Sequence, residues 1–144
     1  MVVGYDGSDN ARAAVDQAAA LAGPRGKVYV VHSYSPPADW LGFPNYQRVL
    51  DDHRARGEAV LDALVMTDDP LLETEFETEL LDSPPADALM SVAGTRGADL
   101  IVVGSRGLGR LRATLGSVSH DVLHRADCPV LVVPAAASAP SEDA

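Results

Sequence analysis

The chain has 144 residues, a size that suits one domain. A domain of this size can bury a core large enough to fold without disulfide bonds or structural metal ions. Its formal net charge of −10 argues against a general affinity for nucleic acid, whose phosphates need compensating Lys and Arg. A single cysteine, Cys128, excludes a disulfide framework within the chain and fits the reducing cytoplasm. The N-terminus has no signal-peptide pattern, and no apolar run is long enough to predict a membrane span.

Apolar runs predict strands that alternate with helices along the chain. The pattern predicts five strands, at 1–5, 27–33, 72–81, 98–104 and 129–133. Between them it predicts four helices, at 11–22, 46–66, 85–96 and 117–126. Ser8, Asp9 or Asn10 can cap the first helix. The third strand, within "LETEFETELL", alternates acidic and apolar residues, which predicts one wet face near a sheet edge. The alternation predicts an α/β fold with a parallel sheet covered on both faces.

Two segments follow predicted strands and are rich in small and polar residues. Asp6-Gly7-Ser8 follows the first strand, and "GSRGLGRLRATLGSVS", residues 104–119, follows the fourth. Ligands of parallel sheets bind beyond the carboxyl ends of the strands, where the strand order reverses. If the first and fourth strands are neighbours at that point, both segments line one site.

The glycine-rich run fails two familiar phosphate-binding patterns. It lacks the Lys and Ser or Thr of a P-loop, because Arg110 and Leu111 follow Gly109. It also fails the dinucleotide fingerprint, since Arg112 stands where the third glycine belongs. What remains is a set of glycines that allow close backbone approach, and a helix N-terminus at Gly116-Ser117 that favours an anion. The alternative is that the glycines serve tight turns and Ser117 is only an N-cap.

Other residues carry weaker signals. "HDVLH", residues 120–124, imitates a two-histidine zinc motif, but both histidines fall opposite the predicted buried face and no third ligand is apparent, so we expect solvated side chains. Cys128 is expected to be a buried, inert thiol. Trp40 and Phe43 either form a lid over a ligand or pack locally. Three arginines either neutralise a bound phosphate or, as we expect for at least two of them, form a solvated loop face: Arg106, Arg110 and Arg112.

Three pieces of the chain resemble the universal stress protein family. They are "VVGYDGSDNARAAV", "KVYVVHSY" and "ADLIVVGSRGLGRLRATLGSVSHDVLHRADCPVLVVP". The resemblance implies a Rossmann-like, doubly wound five-stranded parallel sheet of order 3-2-1-4-5 over residues 1–134, which places the first and fourth strands side by side. The family usually has a short lead before the first strand, whereas here that strand begins at Met1. We expect the tail at 135–144 to be disordered.

Many members of this family bind ATP through glycine, two residues, glycine, nine residues, then glycine and Ser or Thr. The resemblance implies that Asp6 contacts the ribose or a Mg²⁺ ion, and that Ser33 lies by the adenine. The residues that it implies around the phosphates are Gly104, Gly107, Gly116, Ser117 and the backbone of Val118. This chain has eight residues between Gly107 and Gly116 rather than nine. Either the loop absorbs the missing residue, or Gly116 is drawn away from the phosphates.

The resemblance supports two functional hypotheses. The first is a stress-response or signalling module that binds ATP, or AMP or ADP, with Mg²⁺, and hydrolyses ATP slowly or not at all, since no residue stands out as a catalytic base. The second, favoured by the short loop, is a dimeric interaction protein that has lost nucleotide binding. Hydrolysis of an adenylated substrate has no residue to recommend it. The family commonly dimerises through its last strand, so we expect a homodimer through residues 129–133, with no nucleic-acid or membrane partner.

Overall fold

The computed structural model describes residues 1–38, 42, 44–66, 73–106 and 115–135. The elements in these ranges are β1 (Val2–Gly4), α1 (Asp9–Ala22), β2 (Lys27–Ser33), α2 (Tyr46–Val65), β3 (Glu75–Leu81), α3 (Pro85–Arg96), β4 (Ile101–Gly104), α4 (Ser117–Arg125) and β5 (Val130–Val133). A short 3-10 turn, Gly23–Arg25, leads from α1 into β2. Every predicted element is present in the predicted order. β3 and β4 begin three residues later than their apolar runs.

The strands form one parallel sheet in the order β3-β2-β1-β4-β5. β1 pairs with β2 on one side and with β4 on the other. The first three strands are therefore added towards one edge of the sheet, and β4 and β5 are added towards the other edge. This order confirms the expected one. The carboxyl ends of β1 and β4 therefore lie side by side, which is where a doubly wound sheet opens a ligand crevice.

Both faces of the sheet are covered by helices, as the apolar strands predict. Val2 packs on the face covered by α3 and α4, whereas the next residue, Val3, packs on the face covered by α1 and α2. The small alanine side chains of α1, such as Ala14 and Ala18, are fully buried and let that helix lie close to the sheet. Within the described ranges, no helix combines the length and apolar character that crossing a bilayer requires.

The β3 edge carries an ion-pair network on the solvent-exposed face that its alternating pattern predicts. Lys27 Nζ lies 2.8 Å from Glu75 and 2.6 Å from Glu77, and Arg96 lies 2.8 Å from Glu79. Both cations also stand over the ring of Tyr29, at 5.4 and 4.9 Å from its centroid. The opposite face of β3 turns Phe76 and Leu80, which are partly buried, towards the core beneath α1 and α2.

The β5 edge is apolar and directs backbone groups outwards. Ile101 N donates to Pro129 O at 3.0 Å, and Ser105 N donates to Val133 O at 2.8 Å. The backbone N–H and C=O groups of the odd-numbered residues from 129 to 133 therefore point towards β4. Because backbone groups alternate along a strand, Val130 and Val132 direct their N–H and C=O away from the sheet. Among the described residues, no strand pairs with this side of β5.

Candidate functional site

A cleft of about 110 Å³ opens at the carboxyl ends of β1, β2 and β4, beside the start of α4. Apolar side chains form part of its lining, including Val31, Leu89 and Val103. Five of the predicted site residues line it: Asp6, Ser33, Gly104, Gly116 and Val118. The structure thus brings the two predicted segments together. Gly107 lies outside the described residues, as do Trp40, Phe43, Arg110, Arg112 and the tail from residue 136.

The turn after β1 fixes the position of Asp6. Ser8 N donates to Asp6 Oδ1 at 2.9 Å, and Gly7 takes a φ of 84° that favours glycine. Ser8 Oγ accepts from Ala11 N at 3.1 Å, so Ser8 is the N-cap among the three candidates. An ionised carboxylate offers about four acceptor positions, so Asp6 keeps capacity to accept hydrogen bonds from hydroxyl groups in the cleft.

Two residues at the ends of β1 and β2 were not singled out from the sequence. His32 Nδ1 lies 2.7 Å from Tyr5 O, and since a carbonyl only accepts, Nδ1 carries the proton and donates. The Nε2 atom of a neutral His32 is therefore an acceptor. Burial raises the pKa of Tyr5, so its phenol stays protonated. Both residues line the cleft. Their position at the carboxyl ends of predicted strands is the sequence feature that could have indicated them.

Gly104 is required by a close contact within the protein. A Cβ at this position would lie 2.8 Å from Asn10 Oδ1 and 3.2 Å from the backbone carbon of Asn10. From the sequence, this glycine is expected to allow a ligand to approach the backbone closely. In the structure the first turn of α1 packs against Gly104, which also lines the cleft.

The two ends of the glycine-rich segment are joined at Ser105 and Gly116. Gly116 N donates to Ser105 O at 2.7 Å. Ser119, only 2% exposed, donates from Oγ to Gly116 O at 2.9 Å and lies 3.3 Å from Ser105 O. Gly116 lines the same cleft as Gly104, with eight residues between Gly107 and Gly116. Ser117 is exposed at the first turn of α4.

Ser119 and Arg106 complete the lining on the α4 side. Ser119 was missed, although its position three residues before Val122 places it on the buried helix face, a periodicity that could have indicated it. Arg106 is half-buried and supplies a positive charge next to the helix N-terminus. This part of the cleft is suited to an anion in a protein whose overall charge is strongly negative.

The remaining candidates lie elsewhere. His120 and His124 are exposed, as expected, and their ring centroids are 4.4 Å apart. Among the described residues, no group of three or more His, Cys, Asp or Glu side chains could hold a metal ion. Cys128 is half-buried against the α3 and α4 core rather than fully buried as expected, because it precedes an edge strand with helices and strands on one side only.

Comparison with known proteins identifies relatives that match almost the whole length of the chain. The model of the universal stress protein family matches residues 1–134. A universal stress protein of Thermus aquaticus, encoded 3′ of a QAH/OAS sulfhydrylase, is 40% identical over 136 residues, which cover 92% of this chain and 96% of the relative.

Two solved structures with the same fold contain nucleotides. A universal stress protein in complex with cAMP has a TM-score of 0.58 and 31% identity, covering 92% of this chain and 93% of that one. The universal stress protein of Archaeoglobus fulgidus in complex with dAMP has a TM-score of 0.57 and 28% identity, covering 92% and 94%. Together with the sheet order and the family match, these similarities show that the chain belongs to the universal stress protein family.

Proposed function

We propose that this protein binds an adenine nucleotide, with ATP as its principal ligand, and serves as a cytoplasmic stress-response or signalling module. The observation that carries the proposal is the convergence of a carboxylate, an apolar wall and a helix N-terminus in one cleft. The relatives that hold cAMP and dAMP support the choice of adenine.

The β1 and β2 side of the cleft fits a nucleoside. Val31 and Leu89 offer apolar contact to a planar base, and Ser33 offers a hydroxyl that can donate or accept at its edge. Asp6, held by its own turn, is placed to accept hydrogen bonds from ribose hydroxyls. The same carboxylate fits Mg²⁺, which prefers oxygen ligands and is commonly held by one or two carboxylates together with phosphates.

The β4 and α4 side fits the phosphates. The first N–H groups of any helix lack partners within that helix, and those of Ser117 and Val118 stand at this position in α4. The helix dipole adds a partial positive charge there, and Arg106 adds a full one. Gly107 would complete this part of the site by the family motif.

We propose that hydrolysis of ATP is slow at most. Asp6 and His32, two titratable side chains of the lining, are each engaged by backbone groups of the turn after β1. Rapid hydrolysis would need a base positioned on a water molecule in line with the terminal phosphate.

We also propose a homodimer that forms by pairing of β5 with its symmetry mate. Val130 and Val132 direct backbone donors and acceptors outwards along an apolar edge. An edge of this kind is a template for strand pairing, and a two-fold axis lets one patch satisfy itself.

Calorimetry with Mg²⁺-ATP, AMP and cAMP tests the nucleotide proposal. We expect saturable binding of ATP by the native chain, and an Asp6→Asn variant that binds about tenfold more weakly, since hydrogen bonds to a charged acceptor contribute roughly 1.5–3 kcal/mol. Asp9→Asn is the matched control, because Asp9 is exposed in the first turn of α1.

Absence of binding by the native chain at millimolar ATP would refute the proposal. If that chain were still a dimer in sedimentation, the second hypothesis of a dimeric interaction protein without nucleotide would take its place. Equal affinities of the Asp6→Asn and Asp9→Asn variants for ATP would show that Asp6 does not contribute to nucleotide binding.

A further inference from the structure

Asn10 is a buried polar residue that joins three separate parts of the chain. It is 8% exposed and lies in the first turn of α1. Its Oδ1 accepts from Arg106 N at 2.8 Å and lies 3.4 Å from the Ser105 hydroxyl, which can donate to it. Its Nδ2 donates to Val133 O at 3.0 Å. The carboxamide thus holds the segment after β4 and the end of β5 against α1.

These bonds have no counterpart in ordinary helix capping. Ser8 already caps α1 by accepting from Ala11 N. The Asn10 side chain instead turns towards the sheet, over the position where Gly104 lacks a Cβ. Only a residue with both a donor and an acceptor at its tip can serve Arg106 N and Val133 O at the same time.

The contacts continue from Asn10 to the far end of the glycine-rich segment. Ser105, whose hydroxyl lies against Asn10, accepts at its own carbonyl from Gly116 N. Gly116 in turn is the N-cap of α4, and it lines the cleft together with Val118 and Ser119 of the first turn of that helix. The position of the α4 N-terminus relative to Arg106 therefore depends on a chain of hydrogen bonds that starts at Asn10.

We propose that Asn10 is a positioning residue for phosphate binding: its carboxamide sets Ser105 and Arg106 in register with the α4 N-terminus. The proposal rests on the proposed nucleotide function. Asn10 bonds to Ser105, Arg106 and Val133 and is not among the described residues that line the cleft, so it acts through Arg106 and Gly116. Binding of the nucleoside part, at Asp6 and Ser33, does not depend on it.

The same bonds connect the phosphate side of the cleft to the end of β5. Val133 O accepts from both Ser105 N and Asn10 Nδ2, and Ala135 N donates to Ser105 Oγ at 3.2 Å. A ligand that holds the segment after β4 in place must also reduce the opening of these bonds. We therefore expect nucleotide binding to slow hydrogen exchange of the Ala135 amide.

An Asn10→Ala variant tests the proposal by comparing ATP with adenosine. We expect its affinity for Mg²⁺-ATP to fall about tenfold, while its affinity for adenosine stays within about twofold of the native value. A general loss of folding stability would instead lower the apparent affinity for ATP and for adenosine to the same extent. Gln17→Ala, which removes an exposed carboxamide from the same helix, is the matched control and should bind both ligands as the native chain does.

Hydrogen exchange of the Arg106 amide gives a second readout that needs no ligand. Exchange should be faster in Asn10→Ala than in the native chain. Asn10→Asp keeps the acceptor for Arg106 N but replaces the donor to Val133 O, so it should retain the slow exchange at Arg106. This variant also keeps the proposal testable if Asn10→Ala does not fold.

A double-variant cycle with Gly104→Ala adds an independent check. The added Cβ would displace the Asn10 carboxamide and should weaken ATP binding in the native background. In the Asn10→Ala background the same substitution should weaken it less, because the side chain it displaces is gone.

The outcomes separate this proposal from the proposed function. A native chain that binds no adenine nucleotide refutes the function, and the positioning role falls with it whatever the exchange rates are. A native chain that binds ATP, with an Asn10→Ala variant that matches it or loses ATP and adenosine equally, refutes the positioning role alone. Unchanged exchange at Arg106 in Asn10→Ala refutes it too.

Discussion

The two edges of the sheet differ in what they offer to a partner. At β3, one face of the strand is a row of acidic residues held by Lys27 and Arg96. At β5, all four residues are apolar, and Val130 and Val132 direct backbone groups outwards, where no described strand pairs with them. One parallel sheet thus treats its edges in opposite ways. Charge discourages further pairing at the first, whereas the second keeps the features of a template for strand addition.

The ion pairs of the β3 edge matter little for folding stability. They are exposed, and exposed pairs of this kind contribute little because water screens them. Their effect on pairing is larger, since a second copy of β3 would place glutamates opposite glutamates, and like charges across neighbouring strands are unfavourable. The edges therefore differ in partner selection more than in stability.

The largest effect is expected from Val132→Pro, which removes an outward N–H from the β5 edge. Proline cannot donate to a neighbouring strand, so the proposed dimer should dissociate to monomers at micromolar concentration. Val132→Thr is the control, because it changes the side chain by one group and keeps the N–H. Sedimentation velocity measures both. A Val132→Pro chain that stays dimeric would place the interface elsewhere.

A smaller effect is expected when the β3 edge is made more like β5. Replacing Glu75, Glu77 and Glu79 together by Thr removes the charges while keeping a residue suited to strands. We expect association beyond the dimer, visible as a concentration-dependent rise in light scattering. The control replaces the exposed Asp51, Asp52 and Glu58 of α2 by Thr, which removes the same charge from another surface. Equal association of both variants would mean that net charge, and not the edge, prevents pairing.

The smallest effect is expected from Glu77→Gln, which tests the β3 network by pH. The hydrogen bond from Lys27 lowers the pKa of Glu77 below its ordinary value. A carboxyl with a lowered pKa in the folded state stabilises that state above its unfolded pKa of about 4.3, and this contribution is lost as the pH falls further. Glu77→Gln should therefore be slightly less stable than the native chain at pH 7 and equal to it at about pH 2.

Thermal unfolding at a series of pH values measures this difference. Glu73→Gln is the control, since Glu73 lies just before β3 and outside the Lys27 and Arg96 network. If Glu77→Gln and Glu73→Gln followed the same pH dependence, the ion pair would not affect folding at all.

Local patterns predicted the elements and the wet face of β3, because side-chain alternation is a property of neighbouring residues. They also predicted that the segments with Asp6 and Gly116 line one site if the first and fourth strands are neighbours, because strand ends share one edge of a parallel sheet. The strand order itself came from resemblance to a family, since pairing partners are distant in sequence. Asn10 could not be predicted, because its partners Ser105 and Val133 are 95 and 123 positions away. Near Ser8 and Asp9, it looked like one more helix cap.

For the proposed strand-paired dimer, the contrast between the edges also sets the number of copies that can join. A sheet that can be extended at one edge has a valence of one, so growth by strand pairing ends after a single addition and cannot continue into a fibre. The two-fold axis proposed at β5 would reverse the strand direction in the second copy. The carboxyl ends of the two sets of strands then point in opposite directions, and each cleft opens to solvent at its own end of the joined sheet.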